Sequence, residues 1–349
     1  MPQTMREEIL AMNERMSALF IKTTQERREY RGLHPTQFMK SLCSDGRVRL
    51  LRCCGIPFGL LTPFRNIGGR FDIGWPKFRD SMLEMYEYSH SQHVDTCLLI
   101  TGHHSESGEH LGCAGFNGKK EDAWEYLNGF YHGVKRAFPK MIWPFLLWIE
   151  TDSDALILYL EDGSKIDMRE VTDPSEHQLE RLLMQRCRSY PEQVLKDIVP
   201  FLMGNHKHLE DLKKLGTRPS NALCHNERGI AFGQGFDWID RDNFVLILGP
   251  CDPALDEAIV KAAEIIENNL RDENGKVNEE ERSKGGILLV STPYRSRKPW
   301  QRSSAVEQSH YLTRLALDSI KQKLPSMEGY FVPLVGVLDQ DTRRFEEIK

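Results

Sequence analysis

Cysteine, histidine and acidic side chains are concentrated in two short segments of this chain, and together they have the chemistry of a metal site. The first is Cys43-Ser-Asp45-Gly-Arg47, which follows an apolar run and places a thiol, a carboxylate and a guanidinium on alternate residues. The second, residues 98–113, supplies histidines and another cysteine. Two thiolates and one imidazole make a zinc site of the open, catalytic type, with a fourth position for water.

The predicted ligands are Cys43, His103 and Cys113. His103 directly follows an apolar strand through Gly102, so the edge of the sheet fixes where it points. His110 is the alternative, because it forms a local His-x-x-Cys pair with Cys113. Since side chains alternate along a strand, we expect His104 to face away from the metal.

Asp45 and Arg47 have the chemistry to orient a zinc-bound water. The carboxylate can accept a hydrogen bond from that water, and the guanidinium can hold the carboxylate by a two-pronged ion pair. The alternative is that Asp45 is itself the fourth zinc ligand and expels the water. A third interpretation is a structural surface pair.

The remaining cysteines are expected to be reduced, because eight cysteines are scattered through a long chain. Cys97, Cys187 and Cys251 are predicted to be core residues, and Cys53 and Cys54 packing residues with zinc ligation as the alternative. The other histidines have no partner at ligand spacing: His34, His90, His93, His132, His177, His206, His208, His225 and His310.

Composition argues against several classes of partner. The chain has 349 residues, is 40% hydrophobic and carries a net charge of −5. We therefore expect a large buried core and no nucleic-acid partner. With no membrane-length apolar run and a charged first segment, the sequence predicts a soluble, intracellular protein.

The hydrophobic pattern predicts an α/β fold. A strand over 38–42, a helix over 76–91 and a strand over 96–101 form a crossover unit that brings Cys43 and His103 to one sheet edge, where ligands bind. Further predicted elements are helices over 5–29, 120–136, 253–270 and 305–323, a hairpin over 145–150 and 155–160, and strands over 244–248, 286–291 and 330–338.

Three regions follow from this pattern. We predict an N-terminal helical arm over 1–35, a zinc-binding catalytic domain over 36–218 and a second α/β domain over 219–349, with a linker at 216–221. The second half contains no further Cys-x-Asp-x-Arg.

The combination of Cys-x-Asp-x-Arg, Phe64-Arg-Asn-Ile-Gly-Gly69, a strand-end Gly-His and a later Cys-x-Gly resembles the β-class carbonic anhydrases. The resemblance implies a mostly parallel central sheet flanked by helices. It also implies Zn²⁺ on Cys43, His103 and Cys113 and an Asp45–Arg47 dyad. In that family the Arg-Asn segment, here Arg65-Asn66, lies beside the substrate channel.

Ten residues separate His103 from Cys113, whereas usual members have three. That departure resembles the divergent shell carbonic anhydrases of carboxysomes. Further similar stretches are Gly112–Gly115, Ile149–Leu156, His225–Arg228 and Gly235–Trp238. The resemblance implies that the second half is a degenerate copy without metal, so that one chain mimics a β-class dimer.

The expected activity is reversible hydration of CO₂ to bicarbonate and a proton by zinc-bound hydroxide, with Phe64 lining a small apolar pocket and His104 or His110 carrying the proton. Competing hypotheses are a non-catalytic zinc scaffold with Asp45 as fourth ligand, and a hydrolase of a sulfur analogue such as carbonyl sulfide. We expect a homodimer or higher homo-oligomer in the cytoplasm. The resemblance implies contact with a carboxysome shell or Rubisco, although only 42 residues precede Cys43, which argues against encapsulation.

Overall fold

A computed structural model describes residues 2–108, 112–216, 225–272, 274–298 and 300–348. It contains two mixed, mostly parallel sheets flanked by helices, which confirms the predicted α/β class. The chain divides into two compact units. The six-stranded unit comprises Gln25–Cys43 and Arg47–Cys224, and the five-stranded unit comprises Met1–Thr24, Ser44–Gly46 and His225–Lys349.

The N-terminal region forms two helices, α1 (Pro2–Lys22) and α2 (Thr24–Leu33), where the sequence predicted one over 5–29. The break falls at two adjacent threonines. Thr23 Oγ1 donates to the Leu19 carbonyl and Thr24 Oγ1 to the Ile21 carbonyl, at 2.8 Å each. Threonine hydroxyls that bond to backbone carbonyls compete with regular helix geometry.

The six-stranded unit has the strand order β2-β1-β3-β4-β5-β6, parallel from β2 to β4 and antiparallel beyond. Its strands are β1 (Gln37–Cys43), β2 (Thr62–Asn66), β3 (Thr96–His104), β4 (Trp143–Glu150), β5 (Ala155–Tyr159) and β6 (Lys165–Asp167). Its further helices are α3 (Leu50–Cys53), α4 (Pro76–Ser91), α5 (Lys120–Ala137), α6 (Glu176–Arg186) and α7 (Glu192–Leu215).

Strand β3 is central to this sheet, and all nine of its residues are buried. Such a nearly continuous apolar run is typical of a parallel strand covered on both faces. Helices α4 and α5 pack against β3, and α5 buries Ala123, Leu127, Phe130 and Val134 at helical spacing. The predicted crossover unit is therefore confirmed.

Strand β2 is absent from the sequence prediction. Its sequence Thr-Pro-Phe-Arg-Asn lacks a run of β-formers, and Pro63 cannot donate to a ladder. The strand lies at the edge of the sheet and pairs with β1 alone, where proline is tolerated. Tertiary pairing, not local propensity, makes it a strand.

The five-stranded unit has the order β8-β7-β9-β10-β11. Its elements after α1 are β7 (Gly229–Gly233), β8 (Leu246–Leu248), α8 (Leu255–Asn269), α9 (Glu279–Ser283), β9 (Gly286–Tyr294), α10 (Trp300–Lys323), β10 (Phe331–Asp339) and β11 (Arg344–Glu347). Strands β8, β7, β9 and β10 are parallel and β11 is antiparallel.

The first five strands of one unit and the five strands of the other follow the same order. In each, the second strand flanks the first, the third lies on its other side, the fourth follows, and the fifth returns antiparallel. His103 is the eighth residue of the nine-residue strand β3, and Pro293 is the eighth of the nine-residue strand β9. Proline has no side-chain ligand atom, so the predicted histidine has no counterpart there.

The predicted linker 216–221 lies, after Gly216, outside the described residues. Cys97, Cys187 and Cys251 are buried, as expected for core residues, and the described cysteines form no disulfide. Among the described helices, none has the length and apolar character required to cross a membrane.

Candidate metal centre

Cys43, His103 and Cys113 come together in the six-stranded unit. Their ligand atoms all lie within 4.8 Å of one another, and each residue is at most 5% exposed. These are the three ligands predicted from the sequence. The structure thus contains a buried group of side chains that could hold a metal ion.

The distance between the two sulfurs fits such an ion. Cys43 Sγ lies 3.6 Å from Cys113 Sγ, far beyond the length of a disulfide bond. Two thiolates that share a tetrahedral zinc at about 2.3 Å each are about 3.8 Å apart. The thiols are therefore already close to the separation that zinc requires, with a histidine as the third donor.

Two neighbouring parallel strands bring the first two ligands together. Cys43 ends β1, and His103 lies close to the end of β3, which pairs with β1 from Gln37 opposite Thr96 to Ser41 opposite Ile100. Parallel strands end at the same edge of the sheet, so both side chains lie at this edge.

The loop after β3 supplies the third ligand. The Cys113 carbonyl accepts hydrogen bonds at 3.0 Å from the backbone N–H groups of Phe116 and Gly118. These bonds close a 3-10 helix, Ala114–Phe116, directly after the ligand. Cys113 is thereby held at the start of a short, ordered turn.

The segment Phe64–Gly69 packs between the two thiol segments. A Cβ added to Gly115 would lie 2.5 Å from the Cα of Gly68, and one added to Gly69 would lie 3.3 Å from the backbone nitrogen of Cys43. Only glycines allow these backbones to approach so closely. The segment Ile67–Gly69 therefore brings the Cys113 loop against the end of β1.

Arg65 binds the backbone around the first ligand. Its Nη1 donates to the Cys43 carbonyl at 3.0 Å and its Nη2 to the Val48 carbonyl at 2.6 Å. Asn66 caps the next turn by accepting from the Ile67 N–H at 2.8 Å. These contacts give Arg65 and Asn66 a structural role, whereas the predicted position beside a substrate channel stays a prediction.

His104 is buried and its imidazole is neutral at physiological pH. Burial, with help from the Lys120 ammonium 3.1 Å from Nε2, lowers the pKa of His104 to about 4. The Trp148 indole donates to Nδ1. A buried imidazole with so low a pKa is a poor proton carrier near neutral pH, which argues against the predicted role for His104. His110 lies outside the described residues.

Two acidic residues of the β4–β5 turn hold the loop that follows His104. Asp152 Oδ2 accepts from the N–H groups of Glu106 and Ser107 at 2.9 and 2.8 Å. Glu150 accepts from the Asp152 N–H at 2.9 Å, and burial raises the pKa of this carboxyl. The Glu-Thr-Asp-Ser-Asp motif thus fixes the start of the loop that carries Cys113.

Asp45 lies in the five-stranded unit, where it meets two residues that the sequence did not connect to it. Asp45 Oδ2 is 3.7 Å from His225 Nε2, and His225 Nδ1 is 3.4 Å from Glu227 Oε2. Glu227 Oε1 also accepts from the Gly46 N–H at 3.2 Å. The prediction that His225 has no partner at ligand spacing is wrong, because Glu227 follows it by two residues and Asp45, 180 residues away in the chain, completes the group.

His34 and His208 also lie beside carboxylates that are distant in the chain. His34 Nδ1 lies 3.3 Å from Asp197 Oδ1, and His208 Nε2 lies 3.0 Å from Asp154 Oδ2. Arg47 is 1% exposed, so the alternative of a surface Asp45–Arg47 pair is excluded, and the ion pair itself stays a prediction. Phe64 packs edge-on against Phe71 and Phe78 in an aromatic core cluster.

No family model and no curated protein matches the chain. The resemblance to β-class carbonic anhydrases therefore depends on the sequence motifs alone.

Proposed function

We propose that this protein is a zinc-dependent carbonic anhydrase of the β-class type, which hydrates CO₂ reversibly to bicarbonate and a proton. The observation that carries the proposal is the buried Cys43–His103–Cys113 cluster at the carboxyl end of a parallel sheet, with its thiols 3.6 Å apart. Three protein ligands leave the fourth zinc position open, as in catalytic sites.

Zinc, when bound, would act as a Lewis acid and lower the pKa of a water molecule bound to it to about 7. The two cysteines contribute two negative charges as thiolates, which together with a neutral His103 balance the charge of the ion. Their burial also limits access of bulk water, which favours a small nonpolar substrate over a charged one.

Asp45 follows Cys43 by two residues, and we assign it the role of orienting the reacting water by accepting its proton in a hydrogen bond. Arg47 would restrain that carboxylate, since a guanidinium can bind it through two parallel bonds. Both residues are at most 2% exposed, so water does not compete strongly for their polar atoms.

The repeated strand order supports the further proposal that the second half is a degenerate copy of the first. The five-stranded unit repeats the topology, and Pro293 stands at the strand position of His103. A chain with two such units and one metal cluster of this type would correspond to a β-class dimer with one active site. CO₂ and bicarbonate as partners, the oligomeric state and the association with carboxysomes stay predictions.

The test combines zinc content with CO₂ hydration in three variants, Cys43→Ala, His103→Ala and Cys113→Ala. Each removes one of three ligands, so each is expected to hold about one equivalent of zinc less than the wild type and to lose all measurable hydration. Zinc is measured by mass spectrometry after gel filtration, and hydration by stopped flow.

Cys187→Ala is the matched control, since Cys187 is equally buried but lies outside the metal cluster. It should retain zinc and activity. Full activity in any of the three ligand variants would rule out the assignment.

A further inference from the structure

A second group of metal-ligating side chains lies in the six-stranded unit, apart from the proposed active site. Cys53 is the last residue of α3, Asp154 precedes β5, and His208 lies on α7. Their ligand atoms are all within 4.8 Å of one another. Three elements far apart in the chain thus direct a thiol, a carboxylate and an imidazole to one point.

We propose that Cys53, Asp154 and His208 form a second binding site for a divalent transition-metal ion such as Zn²⁺. A sulfur, an oxygen and a nitrogen donor together suit a borderline ion of this kind and disfavour Mg²⁺ or Ca²⁺, which prefer oxygen ligands alone. Cys53 is 1% and Asp154 4% exposed. The ion would link α3, the β4–β5 turn and α7.

The spacing of these ligands requires only a small adjustment. His208 Nε2 lies 3.0 Å from Asp154 Oδ2, whereas donors that share a metal at about 2.0–2.2 Å are about 3.3–3.6 Å apart. The His208 side chain is 16% exposed, so its imidazole can move by a few tenths of an ångström. It also gives the site an edge that an ion can reach from solvent.

The backbone of two of the ligands is fixed independently of any ion. Asn205, one turn before His208 on α7, donates from Nδ2 to the carbonyls of Cys53 and Asp154 at 2.9 Å each. Its Oδ1 accepts from the Leu156 N–H at 2.9 Å. Because Asn205 is completely buried, these bonds hold the ligands in place before an ion arrives.

A glycine brings α7 close enough for this arrangement. A Cβ on Gly204 would lie 1.8 Å from the Cys54 carbonyl oxygen, so no other residue fits at that position. The close approach places His208, one turn further along α7, beside the end of α3. Cys54 itself is 1% exposed, and burial raises the pKa of its thiol.

The experiment compares metal content in the full-length protein and in Cys53→Ser and His208→Ala. After incubation with Zn²⁺ and gel filtration, each variant is expected to hold about one equivalent less than the wild type, because two donors alone hold zinc weakly. His206→Ala, on the same helix but outside the cluster, should retain the wild-type content. Far-UV circular dichroism verifies that each variant is folded.

Co²⁺ provides the second measurement, since thiolate ligation gives a charge-transfer band in the near ultraviolet. The Co²⁺ spectrum of Cys43→Ala should show such a band, and the spectrum of the double variant Cys43→Ala/Cys53→Ser should lack it. Because Cys43 is absent from both proteins, the band reports on this site and not on the proposed active site. Equal zinc content in wild type, Cys53→Ser and His208→Ala, or identical Co²⁺ spectra with and without Cys53, would overturn the proposal. Neither result depends on carbonic anhydrase activity.

Discussion

At the scale of single residues, burial determines which charges Cys43, His103 and Cys113 can carry and which ion can balance them. A thiolate that is almost completely buried is costly unless a cation balances it. Two such thiolates, whose sulfurs would lie about as close as the thiols do here, 3.6 Å apart, would therefore favour a cation bound between them. The same burial makes the bound ion a strong local charge, which is the condition for acidifying a water molecule.

Asp45→Asn separates catalysis from metal binding. The amide keeps the shape of the side chain but is a poor proton acceptor, so zinc content should be unchanged while CO₂ hydration falls roughly 100-fold or more. Inductively coupled plasma mass spectrometry and stopped flow measure the two quantities on the same sample.

Asp80→Asn, an exposed aspartate on α4, is the control and should leave hydration unaffected. Loss of zinc in Asp45→Asn would instead support the scaffold hypothesis, in which Asp45 is a permanent ligand. Wild-type turnover with zinc retained would contradict the role assigned to Asp45.

The proximity of Cys43, His103 and Cys113 could be predicted from sequence, because Cys43 and His103 lie at the ends of two strong strands and Cys113 lies in the loop that follows the second. The carboxylate partners Asp45 of His225 and Asp154 of His208 could not, because they are distant in the chain. The Asp45–His225 and Asp154–His208 pairs form only when separate elements pack together. Spacing along a chain gives no information on such contacts.

At the scale of elements, the position of Cys113 depends on the close packing of two glycine-containing turns. The 3-10 helices Ile67–Gly69 and Ala114–Phe116 touch through Gly68 and Gly115. The Arg70 guanidinium lies 4.3 Å from the centre of the Phe116 ring and covers the outer side of the second turn. The position of Cys113 thus depends on a contact that leaves no space for a methyl group.

Gly115→Ala should therefore weaken zinc binding without altering any ligand. The added Cβ would lie 2.5 Å from Gly68, and relief of such overpacking costs about 1–3 kcal/mol. Urea unfolding gives the free energy of unfolding, and competition with a chelating indicator gives the zinc affinity. Both should fall.

Gly129→Ala on α5 is the matched control, since a Cβ there meets nothing within 4 Å. In a helix interior it should stabilise the protein by about 0.5–1 kcal/mol and leave the zinc affinity unchanged. Unaltered zinc binding in Gly115→Ala would show that the two turns do not position Cys113.

Elements with strong local patterns were predictable and those without were not. Helix α4 extends over 76–91 as its Pro76 start and apolar spacing indicate. Strand β7 was missed because Gly-Ile-Ala-Phe-Gly is short, and its two glycines and one alanine interrupt the β-forming Ile230 and Phe232. Its position between β8 and β9 supplies the pairing that the local sequence does not specify.

At the scale of the whole molecule, the chain divides into two units whose first five strands follow the same order. The Cys-x-Asp motif has residues in both units. Cys43 belongs to the six-stranded unit and Ser44–Gly46 to the five-stranded unit, where Ser44 accepts from the Ile247 N–H at 2.9 Å. The motif is therefore continuous in sequence but divided between the two units.

The most direct test of zinc-dependent CO₂ hydration is a stopped-flow assay on a single preparation. The rate is measured before zinc removal, after chelation and after zinc is restored. We expect hydration well above the uncatalysed rate, its loss on chelation and its recovery when zinc is restored. A folded, zinc-loaded protein whose hydration rate equals that of buffer would contradict it.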